Sequence, residues 1–310
     1  MQLQPVGQGR PRIVRVYRGE KIRDVARRLR SQKLIRHAGV FIWYARWRGD
    51  VNHLRAGRYR ISPTMSVPRI LDELVIGRQD LAGLVIIPEG YTVRRVAERL
   101  VAEGIIRDVG SFIKLAQHPN GRVNLPFPEP PTGLEGYLFP SGYDLQPNTP
   151  PERVAQVMVD EFARQFSQPY ADEIAHRGRS LHEIVTIASM IEREAEVEKD
   201  RPLIAGVIEN RLRKGMRLQI DATVLYAMGR HKNRVLYRDL RTPSPYNTYL
   251  HAGLPPGPIA SPGLPSLLAA LRPAKHDYLF YVASPDGSHI FTRTEAEHNE
   301  MVEQMRKLRQ

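Results

Sequence analysis

Two carboxylates two residues apart, Glu192 and Glu194, stand at the end of the most strongly patterned stretch of the chain, Ile184–Gly229. Ile184, Ile187, Ala188, Ile191 and Ala195 recur at helical spacing and define one apolar face. At about 100° per residue, Glu194 falls at one edge of that stripe beside Ile187, and Glu192 falls at the other. A carboxyl at such an edge is open to partial desolvation, which raises its pKa and prepares it to donate a proton near neutrality. The same spacing equally suits two solvated helix residues, and periodicity leaves both readings open. An acidic turn of Glu196, Glu198 and Asp200 follows.

The elements around this pair read as follows. Residues 151–177 and 181–195 are expected to be helices. Arg201–Lys214 reads as another, with Ile204, Val207, Ile208 and Leu212 inward and Gly215 as its stop. The segment Met216–Thr223 then returns towards Glu194. There Asp221 and Thr223 either face the site or cap a helix over Val224–Met228. Tyr278–Val282 and His289–Phe291 read as a closing pair of strands with Asp286-Gly287 in the connection, and Glu295–Arg309 reads as a terminal helix. The proline-rich stretch from His118 to Pro151 is loop.

An internal repeat with a constant offset of 71 relates Ile13–Ile42 to Leu84–Ile113: Gly19 matches Gly90, Leu29 matches Leu100, and Phe41-Ile42 match Phe112-Ile113. Each copy reads as a short strand, a glycine turn, an amphipathic helix and a second helix. Two copies are too few for a solenoid. Between them, Ala56–Arg78 gives strand, turn and helix, with Ser66 as N-cap and Pro68 early in the helix.

Composition narrows the classes. A chain of 310 residues can bury a sizeable core and suggests two domains. Absence of cysteine removes disulfides, Cys-ligated metals and thiol catalysis. The histidines form no HExxH or His-x-His pair, so no catalytic metal is expected. No nucleotide-binding glycine loop or GxSxG elbow is present, and no cofactor is expected. The net charge of +13 is concentrated at one end, because residues 1–60 hold 16 Lys+Arg against 3 Asp+Glu while the remainder balances. Such a lobe could meet nucleic acid, anionic lipid headgroups or an acidic wall polymer. The arginines read as spread along helices without interleaved base-stacking aromatics, and no nucleic-acid motif is present, so nucleic acid is not expected as a partner.

Three segments in order, IASMIEREA, NRLRKGMRLQIDATVLYAMG and PYNTYLHAGLPPGPIASPG, resemble the YceG-like family of endolytic murein transglycosylases. The match runs from about Val16 to Asn299. It implies an α+β fold: a linker over residues 1–11, a small LysM-like unit over 12–83, and a larger mixed α+β catalytic domain over 84–310. It implies that Glu194, the second glutamate of the pair, is the catalytic acid. Glu135 and Tyr137, within the segment Leu134–Pro140, would line the cleft. Gln219, Asp221 and Thr223 would orient the MurNAc ring or its 6-hydroxyl, and Tyr246, Asn247, Thr248 and Tyr249 would form a cleft wall. One departure is Ala222, where the family usually has proline.

The implied substrate is the peptidoglycan glycan strand, with peptidoglycan synthases as candidate partners. The implied place is the extracytoplasmic face of the bacterial cell membrane, held there by an N-terminal helix that this sequence lacks. Two other readings stay open: a hydrolase using Glu194 with Glu135 or Asp221, and a non-catalytic glycan-binding scaffold.

Overall fold

The structure is a computed structural model that describes residues 3–17, 19–77, 84–229 and 235–308. Arg78 and Arg309, the expected ends of two helices, lie outside the described residues. The chain divides into two compact units, Met1–Leu84 and Val85–Gln310.

In the first unit, β1 (Arg12–Val16) pairs antiparallel with β2 (Gly57–Ile61), Arg12 opposite Ile61 and Val16 opposite Gly57. The strand RIVRV alternates, so Val14 and Val16 point into the core. α1 (Ile22–Ser31) buries Ile22, Val25, Ala26 and Leu29, the helical set expected from its pattern. α2 (Ala38–Trp47) turns Phe41 and Ala45 inward. α3 (Val67–Ile76) begins at Ser66, whose side chain accepts from Arg69 N–H, and stops at Gly77 in the left-handed region. These elements close over one core that includes Tyr59, Ile61, Leu71 and Leu74. One expectation is corrected here. Trp43, Tyr44 and Trp47 lie among Arg46 and Arg48 on α2, so aromatics and arginines are interleaved after all.

The second unit opens with the second copy of the repeat: β3 (Val85–Ile86), α4 (Val93–Ala102) and α5 (Val109–Gln117). β3 pairs antiparallel with β4 (Gly142–Tyr143). α6 (Pro151–Phe162) runs into a π turn over Ala163–Ser167, followed by α7 (Ala171–His176). α8 (Leu181–Glu194) is the central helix of a second core, and every residue from Ile184 to Ile191 is buried. It starts with a capping box in which Ser180 Oγ accepts from Glu183 N–H and the Glu183 carboxylate accepts from Ser180 N–H at 2.9 Å. α9 (Arg201–Arg213) packs against α8, and so does α11 (Leu264–Leu271). α10 (Asp221–Met228) lies between α9 and α11 in sequence. The chain closes with the hairpin β5 (Phe280–Ala283) and β6 (His289–Thr292), then α12 (Glu295–Leu308). Small antiparallel sheets among many helices make the fold α+β, as expected.

α9 crosses the segment before β5 closely. A Cβ at Gly206 would stand 2.4 Å from the Ala274 carbonyl oxygen, which is main chain and cannot swing aside. Gly206→Ala is therefore expected to lower stability by roughly 1–3 kcal/mol. A urea titration that leaves the midpoint unchanged would refute this account of the α9 packing.

Candidate functional site

α8 carries a carboxyl at its very end. Ala195 is already extended, with φ −80° and ψ 119°, so Glu194 is the last helical residue. Its Oε2 accepts a hydrogen bond from the Tyr281 hydroxyl of β5 at 3.1 Å, and its carboxyl also accepts from Ala222 N–H at the start of α10. Burial raises its pKa to about 7, and the negative charge of Asp221 pushes the same way against the Tyr281 hydrogen bond. A helix C-terminus also disfavours an anion, which adds to the shift. Near neutrality this carboxyl is thus poised both to give a proton and to take one. It opens on a recess of about 370 Å³ whose walls include Glu196, Ser284, Pro285 and His289.

Around Glu194 stands a set of polar supports. Asp221 is the first residue of α10, and its Oδ1 accepts from the Tyr249 hydroxyl at 2.6 Å. Arg211, buried on α9, donates to the carbonyls of Leu279 (2.6 Å) and Leu218 (2.8 Å) and to Gln219 Oε1 (3.2 Å). Its guanidinium also lies over the Phe280 ring at 4.9 Å. One cation therefore ties α9, the 217–219 turn and β5 into a fixed frame behind Tyr281. Gln219 holds φ at +55°, a left-handed conformation that non-glycine residues rarely adopt and that marks stored strain.

Glu192 has a different fate. Its Oε2 accepts from Ser266 Oγ at 2.7 Å and from Gly263 N–H at 3.1 Å, and it pairs with Arg201 at 3.4 Å with its side chain almost entirely buried. The solvated-residue reading fails for it. It anchors α8 to α9 and to the 259–266 segment.

A groove of about 720 Å³ is lined by Ala222, Leu225 and Tyr226 of α10 and by Gly229 just past its end, and Ala222 is also the residue whose N–H bonds Glu194. Arg94 and Arg95 of α4 and Arg193 of α8 line it as well, and its size suits a small-molecule or oligosaccharide ligand. Glu135 lies in its wall, 8% exposed, with its carboxylate oxygens accepting from Val93 N–H at 3.0 and 3.2 Å and from the Tyr226 hydroxyl at 3.3 Å. Burial lifts its pKa to about 8. Gly136 follows because the turn demands it. Its φ is +84°, and a Cβ would strike Pro258 at 2.5 Å.

The structure divides the residues singled out from the sequence. Glu194, Asp221, Gln219, Glu135 and Tyr246 border the recess or groove or hold their neighbours there. Tyr137 is 1% exposed, stacks on Phe127, meets the Phe162 ring edge-on and reaches His182 Nδ1, so it packs in the core instead of lining the cleft. Thr223, Asn247 and Thr248 are likewise buried. Thr223 Oγ1 donates to the Ile220 carbonyl, Thr248 Oγ1 accepts from Ile220 N–H, and Asn247 Nδ2 donates to the Leu240 and Thr242 carbonyls. Thr223 and Thr248 fix the backbone at Ile220, between Gln219 and Asp221, and Asn247 fixes the 240–249 loop. The capping alternative is corrected too, since α10 begins at Asp221 without a side-chain cap and Asp221 is bound to Tyr249 instead. Tyr281, Tyr226 and Arg211 were missed, and Tyr249, expected in the cleft wall, binds Asp221. The aromatic run that marked Tyr278–Val282 as a strand carried the only signal for Tyr281.

Two titrations check this electrostatic picture. Tyr281→Phe removes a hydrogen bond that favours the carboxylate, so the Glu194 midpoint rises above about 7 in a carboxyl-carbon NMR titration. A midpoint that stays or falls would sink the assignment. For Glu135, the folded pKa lies above the unfolded value of 4.5. Both states are protonated below that value, and as pH rises towards 8 only the unfolded chain releases its proton. Stability then declines by about 1.4 kcal/mol per pH unit, to a total of a few kcal/mol. Glu135→Gln should flatten that decline in denaturant midpoints between pH 5 and 8, and an unaltered slope would count against a neutral buried carboxyl.

Comparison with known proteins follows the same boundaries. A model of the YceG-like family matches residues 14–304. An endolytic murein transglycosylase of Bacillus subtilis (strain 168) is 36% identical over 297 residues, covering 92% of this chain and 82% of the relative. An endolytic murein transglycosylase of Streptococcus pneumoniae (serotype 2, strain D39) is 31% identical over 312 residues, covering 92% of this chain but 56% of that longer protein. The crystal structure of a yceG-like protein of Listeria monocytogenes superimposes with a TM-score of 0.65 at 35% identity, covering 94% of this chain and all of the other.

Proposed function

Because the chain belongs to the YceG-like family, we propose that it is a peptidoglycan lytic transglycosylase with Glu194 as its single acid–base group. The observation that carries the reading is a carboxyl that burial lifts to a pKa of about 7, opening on a recess and beside a groove of oligosaccharide size.

The reaction needs one proton carried in two directions. Protonated Glu194 gives its proton to the glycosidic oxygen as the bond from MurNAc C1 to that oxygen breaks. The resulting carboxylate takes the proton of the MurNAc C6 hydroxyl as O6 bonds to C1. The product ends in 1,6-anhydro-MurNAc, and no water is consumed. A pKa near the working pH serves both halves, and general acid–base action of this kind contributes on the order of 10²–10⁴ in rate. A hydrolase normally sets a second carboxylate across the bond to activate water or attack carbon. Glu135 is a poor candidate, because it is neutral at pH 7 and held by Val93 and Tyr226. Asp221 lies near enough to raise the pKa of Glu194, and it is the residue to which a hydrolytic reading would turn.

In the same proposal the enzyme cuts within nascent glycan strands and so ends their elongation, alongside peptidoglycan synthases, at the extracytoplasmic face of the cell membrane. The first unit would serve as a LysM-like accessory module for the wall. Arg94, Arg95 and Arg193 in the groove suit a substrate whose peptide stems carry carboxylates.

Digestion of purified sacculi followed by mass spectrometry tests the chemistry. The unmodified protein should release fragments ending in 1,6-anhydro-MurNAc, Glu194→Gln should release at least about 10²-fold fewer while keeping its fold, and kcat/KM should fall as pH rises through about 7 because the acid form is lost. Reducing MurNAc ends would replace the lyase with a hydrolase. Full activity of Glu194→Gln would move the acid elsewhere, and no fragments from either form would leave a glycan-binding scaffold.

A further inference from the structure

The first unit presents a surface that its fold does not need. Trp43 and Trp47 are the only tryptophans in the chain, and they are 60% and 71% exposed. They stand four residues apart on α2, one turn apart on the same face, and Arg46 shares that face. Tyr44 lies 5.8 Å from the Trp47 ring, and the Arg48 guanidinium lies over Tyr44 at 5.8 Å. The inward side of α2 is already satisfied by Phe41 and Ala45, so both indoles are spare to the core. Two large apolar rings held in water beside arginines mark a docking face.

Charge restricts what docks there. Residues 1–60 hold 16 Lys+Arg against 3 Asp+Glu, so the partner is anionic. Side-chain chemistry restricts it further. A saccharide or a base stacked on a ring is fixed by amide or carboxylate groups beside that ring, and α2 (AGVFIWYARW) contains no Asp, Glu, Asn or Gln. What α2 offers instead is a pair of indoles on a convex helix surface beside the Arg46 guanidinium, while Arg48, just past the helix, is already paired with Asp50 (2.9 Å) and Asp72 (2.6 Å). Indoles settle at the headgroup level of a bilayer, and arginines there meet lipid phosphates. We propose that the Trp43–Arg46–Trp47 face of α2 is a peripheral docking surface for anionic lipid. The contact is interfacial, because among the described residues no helix is long and apolar enough to cross a membrane. It stands independently of the chemistry assigned to Glu194.

Because no other tryptophan exists, intrinsic fluorescence reports this face alone. Vesicles of phosphatidylglycerol mixed with phosphatidylethanolamine, added to the full chain at low salt, should shift the emission to shorter wavelength and carry the protein into the pellet. Vesicles of phosphatidylcholine alone should do neither, and added salt should weaken the binding. Arg46→Glu keeps both reporters, and it should cut partitioning roughly tenfold or more. Trp43→Ala/Trp47→Ala should abolish co-sedimentation with an unchanged circular dichroism spectrum. Unshifted emission with the anionic vesicles would overturn the proposal. So would a shift produced by murein fragments or single-stranded nucleic acid and not by the vesicles, which would give the face to that partner. Sedimentation that survives the double tryptophan variant would also overturn it, by placing the lipid contact elsewhere.

Discussion

Everything in the second unit turns on removing one carboxyl from water without leaving it unpaired. An isolated buried carboxylate is costly, and proteins usually avoid the cost by keeping the group neutral or giving it partners. Glu194 has some of each. The Tyr281 hydroxyl and the Ala222 amide stabilise its charge, while burial, Asp221 and the end of α8 oppose it. The balance falls near neutrality because neither side prevails. To set that balance, α8 has to be buried along its length and its last turn has to emerge where α10 and the β5–β6 hairpin can reach it. That requirement explains why an apolar helix ends at this point and why the chain turns extended at Ala195.

The two glutamates of the pair show how much a 200° rotation on one helix decides. Glu192 points at Arg201, Ser266 and Gly263, receives three donors and is locked into the framework. Glu194 points at a tyrosine, one main-chain amide and an opening. A carboxylate saturated by charge-assisted hydrogen bonds is a poor proton donor, whereas one with few donors and partial burial is a good one. In the proposed reaction the pair is thus one structural residue and one chemical residue, and position on the helix separates them.

Much of this was legible in the sequence. The helical periods of α1, α4 and α8, the 71-residue repeat and the Ser66 cap are local features. The strand–helix–helix order recurs in both copies because local pattern dictates it. Periodicity could not choose within the pair, and only the resemblance pointed to Glu194. What stayed hidden was set by distant partners. That Tyr137 and Thr248 face inward while Tyr249 faces Asp221 depends on loops whose course no period encodes. Tyr281 meets Glu194 across 87 positions of sequence, and Arg211 reaches β5 across 68. A strand pattern says that a tyrosine alternates, but not what it alternates onto. The indoles of α2 were overlooked because arginines were read as a charge pattern, without the rings standing between them.

The site also concentrates choices that folding alone would reject. Gln219 sits in a left-handed conformation that glycine would occupy without strain, yet its side chain is wanted for Arg211. Arg211 is buried, which lowers its pKa, and it spends its donors on carbonyls and on Gln219. Glu135 and Glu194 both carry pKa values far above those of solvated carboxylates, so each weakens the fold as pH rises. Any one of these could be an accident of packing. Their meeting within one turn of α10 and one strand end is harder to explain that way, because the surrounding fold must be stable enough to hold all of them. The apolar residues of α8, α9 and α11 share one core that holds this frame. On this view the second unit is a rigid bundle whose surplus stability holds one carboxyl at a pKa that it would not adopt in water.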